Sequence, residues 1–140
     1  MRSNSWLAAS LVISAIAFAA GFSAGQEKKD RRVYELRTYT TLPGRLPALN
    51  KRFADHTLKL FEKHGMKNEM YWIPTDPAKK DNTLIYVVSH ASQEAADASW
   101  KAFGADPDWQ KARTASEADG KIVEKVVREY MTLTDYSPEK

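Results

Sequence analysis

Hydrophobic and polar residues change their spacing several times along the chain, and each change predicts a different element. Residues 33–39, VYELRTY, alternate with the two-residue period of a strand. A stripe at three- and four-residue spacing follows and predicts an amphipathic helix that ends at Gly65 with a left-handed cap. The stripe consists of Leu46, Leu49, Phe53, His56 and Leu60.

The remaining pattern predicts two more strands, a second helical region and a fourth strand. The second and third strands cover residues 66–74 and 83–90, and the fourth strand covers residues 123–133. Ser92 is the predicted N-cap of one helix, and Asp106 with Pro107 begins a shorter one. The order β-α-β-β-α-β predicts an α+β, ferredoxin-like fold, with strands one and three central in a four-stranded antiparallel sheet.

The third predicted strand, TLIYVVSH, is apolar on both of its faces. A sheet with one face in water should alternate apolar and polar residues. Helices cover only one face in this topology, so we expect the other to pack on the sheet of an identical subunit, which makes a homodimer.

Strand one places Glu35, Arg37 and Tyr39 on one face and a smaller, more apolar set on the other. The smaller set is expected to lie under the helices, which puts Glu35, Arg37 and Tyr39 on the open face at the dimer interface. Buried charges need partners, so an interface ion-pair network is the favoured interpretation. The alternatives are that Arg37 receives an anionic ligand, or that this face is solvated.

The N-terminal segment, residues 1–25, has the pattern of a cleaved signal peptide. Arg2 precedes an uncharged apolar run of about 15 residues, and small residues follow it. An N-terminal membrane anchor is the alternative, although the run is short for a span of roughly 20 residues. We therefore expect a secreted or periplasmic protein with a flexible linker over 26–32 and one domain over 33–138, and no membrane contact after cleavage.

Charge and cysteine content exclude several classes of function. The chain has 21 basic and 18 acidic residues, of which only Arg2 lies in the predicted signal peptide. This near balance, with both signs interspersed, argues against a nucleic-acid partner. Because the chain has no cysteine, disulfides, a thiol nucleophile and a lipid-modified cysteine are all excluded.

Five side chains are candidates for lining a small-ligand pocket between helices and sheet. His56 lies on the apolar helix stripe, and Asn68 and Trp72 share a face of strand two, with Tyr71 on the other. Trp100 and Trp109 lie on the helices predicted to pack on the sheet. An aromatic-lined cavity would suit a small apolar or aromatic ligand. The alternative is ordinary core packing, with His56 as a packed polar residue.

The sequence has no recognised catalytic or cofactor motif. The three histidines lack metal-ligand spacing, and there is no G-x-S-x-G, P-loop or G-x-G-x-x-G. We therefore predict no metal and no cofactor.

Several segments in order resemble one family. "VYELRTYTTLPGRLPALNKRF", "DHTLKLFEKHGM", "YWIP", "SWKAFGADPDWQKA" and "TDYSP" are similar to segments of the NIPSNAP family, from about residue 33 to 138. The resemblance implies a dimeric α/β-barrel and little chemistry, because the family's activity is largely undefined. Relatives in the wider superfamily include cofactor-free monooxygenases and haem-degrading enzymes. A ligand-binding homodimer is therefore the first hypothesis, a cofactor-independent monooxygenase the alternative, and haem binding through His56 a weaker one.

Overall fold

The computed structural model describes residues 32–138, so the predicted signal peptide and nearly all of the predicted linker lie outside the described residues. Four strands and four α-helices form the domain, with a π-helical segment joining the first two helices. In chain order they are β1 (Val33–Thr41), α1 (Leu46–Arg52), the π-helical segment (Phe53–Thr57), α2 (Leu58–Lys63), β2 (Lys67–Trp72), β3 (Thr83–His90), α3 (Gln93–Ala105), α4 (Pro107–Ser116) and β4 (Val123–Met131).

The strands form one antiparallel sheet in the order β2-β3-β1-β4. The central positions of β1 and β3 and the ferredoxin-like α+β arrangement are therefore confirmed. Ser92 and Asp106 are N-caps as predicted, since each side chain accepts a hydrogen bond from a backbone N–H in the next turn. Gly65 ends the first helical region with φ +78°, the left-handed conformation that glycine adopts without strain.

The π-helical segment changes which residues of the first helical region face the sheet. The N–H of Leu58 bonds to the carbonyl of Phe53, five residues back, and Thr57 Oγ1 donates to the Arg52 carbonyl at 3.2 Å. The extra residue in this turn makes Thr57 the buried position and leaves His56 exposed. The prediction that His56 lies on the buried stripe is therefore wrong.

A β-bulge at Glu69 changes the faces of β2. Asn68 lies opposite Val88, but the next paired residue, Met70, lies opposite Val87, so Glu69 is extra. Asn68 and Tyr71 consequently share the helix-covered face, and the Tyr71 hydroxyl donates to Asn68 Oδ1 at 2.5 Å. Trp72, opposite Ile85, lies on the open face. The prediction that Asn68 and Trp72 share a face is wrong for this reason.

The face assigned to Glu35, Arg37 and Tyr39 is also wrong. Glu35 is fully buried and bonds to Trp100 on α3, while Tyr39 packs edge-on against Phe53. These side chains therefore lie under the helices, and Tyr34, Leu36 and Thr38 point to the open face. The negative charge of Glu35 can be buried because β3 and α3 supply hydrogen-bond donors to its carboxylate.

Aromatic rings fill much of the space between helices and sheet. Tyr86 is fully buried and stacks on Tyr71, with ring centroids 5.2 Å apart and an interplanar angle of 11°. Phe53 and Phe61 pack against it from the first helical region. In residues 32–138, no helix is long and apolar enough to cross a membrane.

Candidate functional site

Polar and aromatic side chains form two rows across the helix-covered face of the sheet. Residues directly opposite each other on neighbouring strands point to the same face. The pairing therefore aligns one row from β2 to β4 and a second row beside it. The first row is Tyr71, Tyr86, Arg37 and Arg128, and the second is Asn68, Val88, Glu35 and Tyr130.

The carboxylate of Glu35 is the centre of this arrangement. Its Oε1 accepts from Arg37 Nε at 2.7 Å, and its Oε2 accepts from Trp100 Nε1 at 2.5 Å. The Nε2 of His90 lies 2.9 Å from the same Oε2. A carboxylate can only accept, so His90 carries a hydrogen on Nε2 in this contact. Three donors from β1, β3 and α3 thus hold one buried charge.

The environment of Glu35 favours its ionised form. Burial by itself raises the pKa of this carboxyl, but the hydrogen bonds from His90, Arg37 and Trp100 and the charge of Arg37 outweigh it. The net result is a pKa below the ordinary value. The cluster therefore contains a fixed negative charge.

Arg37 is held on several sides. Its Nη1 donates to the Tyr39 hydroxyl at 3.2 Å, and its guanidinium carbon lies 3.7 Å from the centroid of the Trp100 ring. Stacking on an aromatic face stabilises a cation in addition to its ion pair. Arg37 therefore has a fixed position over the sheet, beside Glu35.

Three buried polar atoms in this region have no hydrogen-bond partner within residues 32–138. They are Nδ1 of His90 and the hydroxyls of Tyr86 and Tyr130. The Tyr39 phenol is close enough to raise the pKa of Tyr86, but the two hydroxyls are not placed for a hydrogen bond. Buried polar side-chain atoms are mostly paired in folded proteins, so each unpaired atom needs an explanation.

Burial also affects the tyrosines of the first row. It is the largest cause that raises the pKa of Tyr86, with the Tyr39 phenol acting in the same direction. Burial likewise raises the pKa of Tyr71, and the charge of Glu62 adds to the effect. Both phenols therefore remain neutral near pH 7, and each hydroxyl keeps its proton.

The structure brings only some of the predicted pocket residues together. Trp100 contacts Glu35 and Arg37 directly, and Asn68 lies in the second row, where it also donates to the Leu58 carbonyl at 3.0 Å. Trp72 is on the opposite face of the sheet. Trp109 packs on Phe103, with the two ring centroids 4.5 Å apart, rather than on Glu35.

His56 lies on the surface instead. It lines an open depression of about 400 Å³ between the first helical region and α4. The lining is mixed and mostly charged or small: Asp55, His56, Lys59, Leu60, Asp108, Lys111, Ala112 and Ala115. This surface lacks the aromatic lining expected of the predicted pocket. Within the described part of the chain, no three His, Asp or Glu side chains are grouped so that they could hold a metal ion.

Sequence reasoning missed His90 and the tyrosine row. The sequence pattern predicts His90 only as the last residue of a strand, yet His90 shares a face with Tyr86 and Val88 at two-residue spacing. In the antiparallel pairing of β1 with β3, Val88 lies opposite Glu35. His90 is two residues further along β3 on the same face, which places it beside Glu35. The alternation of β3 was the available signal, but it identifies the partner only once the register is known.

A four-stranded antiparallel sheet with helices on one face is the α+β architecture of dimeric α/β-barrel folds. The sequence model of the NIPSNAP family matches residues 34–138. The chain belongs to the NIPSNAP family. No curated protein matches the chain.

Solved structures share the fold at low sequence identity. A NIPSNAP family protein of unknown function from Agrobacterium tumefaciens has a TM-score of 0.66 and 21% identity, covering 78% of this chain and 94% of that one. A NIPSNAP-like domain protein from Burkholderia xenovorans has a TM-score of 0.66 and 13% identity, with 78% and 90% covered. SnoaB, a cofactor-independent oxygenase from Streptomyces nogalater, is more distant, with a TM-score of 0.52, 16% identity, and 78% and 99% covered.

Proposed function

We propose that this protein is an exported homodimer that binds a small aromatic ligand between its helices and its sheet. The observation that carries the proposal is the buried cluster around Glu35, where His90 Nδ1 and the Tyr86 hydroxyl have no partner within residues 32–138. A phenolic or carbonyl group on a ligand would satisfy such atoms. Aromatic rings of Trp100 and Tyr71 would contact its apolar body.

The charged members of the cluster support a binding role over a purely structural one. A buried ion pair contributes little net stability, and a hydrophobic replacement of similar volume is often as stable or more so. Here Arg37 and Glu35 are surrounded by rings that could have formed an apolar core without them. Small-molecule sites are typically apolar and aromatic with a few fixed polar groups, which matches this composition.

Calorimetric titration with a panel of phenols, naphthols and quinones tests the binding function. We expect at least one compound to bind, and Tyr86→Phe to weaken it by about tenfold through loss of one hydrogen bond. Tyr136→Phe is the matched control, because Tyr136 is 87% exposed. Binding by no compound, or equal affinity in both variants, would reject the proposal.

The open face of the sheet supports the homodimer. Apolar side chains from all four strands reach this face, and several are exposed in the single chain. They include Leu36, Met70, Trp72, Ile85, Val87, Val127 and Met131. A surface of this kind is rare on a monomer and is suited to packing against a second copy.

Export rests on the pattern of residues 1–25. Intact mass measurement of the protein recovered from the periplasm or medium of expressing bacteria tests it. A mature N-terminus within residues 20–26 is expected, and a membrane-bound chain that retains Arg2 would instead indicate an anchor.

A second candidate function is cofactor-independent oxidation of a bound quinol or related aromatic compound. The observation that favours it is His90, whose Nε2 is held by Glu35 while Nδ1 remains without a partner. A carboxylate that orients an imidazole in this way helps it to accept a proton. The distant fold similarity to SnoaB is in keeping with this chemistry but does not establish it.

Oxygen consumption with a panel of quinols separates the two candidates. Substrate-dependent uptake that is lost in His90→Gln would favour the oxidation. Binding without uptake would leave the protein as a binding module.

A further inference from the structure

We propose that Arg37 and Arg128 together form an anion-binding site, so that the ligand carries a carboxylate or similar anionic group. This inference rests on the proposed binding function and specifies the class of ligand. The two arginines are the last two members of the first row, directly opposite each other on β1 and β4. Side chains opposed in this way point to the same face, with Cβ atoms roughly 5 Å apart.

Like charges on directly opposed strand residues destabilise the pairing unless an anion lies between them. Glu35 is the carboxylate paired with Arg37, and one carboxylate cannot neutralise both arginines. Glu129, next to Arg128 in sequence, points to the opposite face because successive strand residues alternate. The pair therefore carries a net positive charge on the helix-facing side of the sheet.

Arg128 has no ion pair within residues 32–138, and its guanidinium carbon lies 5.8 Å from the centroid of the Tyr130 ring. Arg37 uses Nε and Nη1 for Glu35 and Tyr39, which leaves its Nη2 available. Guanidinium groups presented in this way suit the two oxygens of a carboxylate.

The site can be reached from solvent because the helices leave β4 largely uncovered. Arg128 is exposed, and Val126, on the same face, is 45% exposed. Tyr130, opposite Glu35, has a buried hydroxyl with no partner in the described part of the chain. Trp100, against which Arg37 stacks, provides an aromatic wall. An anionic aromatic molecule could thus place its charge between the arginines and its ring toward Trp100.

Calorimetric titration of the intact protein with 4-hydroxybenzoate and 4-hydroxybenzamide tests the inference, since the two probes differ mainly in charge. We expect the carboxylate to bind about tenfold or more tightly, the gain typical of one charge-assisted hydrogen bond. This preference should fall to about threefold or less in Arg128→Gln and weaken as salt is raised. Lys101→Gln, which removes an exposed charge on α3 beside Trp100, is the control and should keep the preference.

The possible results separate the two levels of the proposal. Equal affinity for the two probes, or a preference unchanged in Arg128→Gln, overturns the anion site while leaving aromatic binding in place. No binding of either probe, together with none in the phenol, naphthol and quinone panel, overturns the binding function and the anion site with it. If Lys101→Gln reduces the preference as much as Arg128→Gln does, the preference comes from the overall charge of the protein, and the anion site is overturned.

Discussion

The indole N–H of Trp100 donates to Oε2 of Glu35 at 2.5 Å, although the two residues are 65 positions apart in the chain. Trp100 lies on α3 and Glu35 on central strand β1, so this bond joins the helical layer to the middle of the sheet. With Arg37 and His90 as further donors, the carboxylate connects three separate elements. Changes at Glu35 should therefore affect both stability and binding.

Glu35→Gln should lower the free energy of unfolding by about 3 kcal/mol, the lower end of the range for removing one partner of a buried ion pair. Arg37 would lose its counter-charge, and the amide cannot accept from all three donors. Urea unfolding measures the change. Glu129→Gln, an exposed residue on β4, should change stability by less than about 0.5 kcal/mol. Equal effects of the two substitutions would contradict the central role of Glu35.

The same carboxylate should make stability depend on pH in the acid range. Its pKa in the folded protein lies below the ordinary value of 4.5, so the folded state favours the ionised form. The contribution is fully present above about pH 4.5 and is lost as pH falls through the lower, folded pKa. Wild type should therefore lose stability more steeply below pH 4.5 than Glu35→Gln.

Urea unfolding of both proteins between pH 3 and pH 7 checks this expectation. Asp106 and Glu117 also have lowered pKa values, but they are present in both proteins, so their effect cancels in the comparison. A constant difference between the two curves across this range would show that Glu35 is not the group responsible.

Much of the fold could be predicted because its signals are local. The two-face apolar run of β3 and the caps at Ser92 and Asp106 each depend on a few neighbouring residues. The π-helical segment could not, because both Phe53-to-His56 and Phe53-to-Thr57 spacings fit a helix. The bulge at Glu69 could not be predicted either, because it leaves the composition of its strand unchanged.

The site was harder to predict because its contacts are non-local. Whether Glu35 can be buried depends on donors at His90 and Trp100, which only the sheet register and the docking of α3 bring to it. The alternation of β1 is compatible with either of its faces lying under the helices. The polarity of Glu35 and Arg37 favours the open face for them, which is wrong. The role of Trp100 in a ligand pocket stays a prediction, whereas its partner Glu35 lies on the face opposite to the predicted one.

Introducing a charge on the open face should disrupt the proposed dimer. Val127→Lys places a cation on that face, while Val126→Lys places one on the helix-facing side of the same strand. The two valines are similarly exposed, 43% and 45%, so the comparison isolates the face. Native mass spectrometry should show a monomer for Val127→Lys and a dimer for wild type and Val126→Lys. A wild-type monomer, or dimers throughout, would reject packing through this face.

The exposed His56 and the buried His90 should differ clearly in their effect on stability when mutated. His56→Asn should change stability by less than about 0.5 kcal/mol, because the side chain is exposed. His90→Asn should cost about 1–3 kcal/mol, because Glu35 loses one of its donors inside the core. Thermal or urea unfolding provides both values.

Haemin titration, followed by the Soret band, extends this comparison to the haem hypothesis. The surface position of His56 predicts that His56→Asn and wild type give the same spectra. A Soret change that depends on His56 would restore it as a haem ligand.

The single extra residue in the first helical region also bears on how this chain tolerates length changes. Residues 54–56 are exposed, and substitutions there should be accepted readily. A one-residue deletion among them should also be accepted, because it removes the extra residue and lets the π turn close as a regular α turn, so the helix after it keeps its orientation. Leu60 would stay in the core, and Phe61 would stay packed against Tyr86. Among relatives, a one-residue gap in an alignment at this point would therefore mark a π turn closed to an α turn, with the buried face of the helix unchanged.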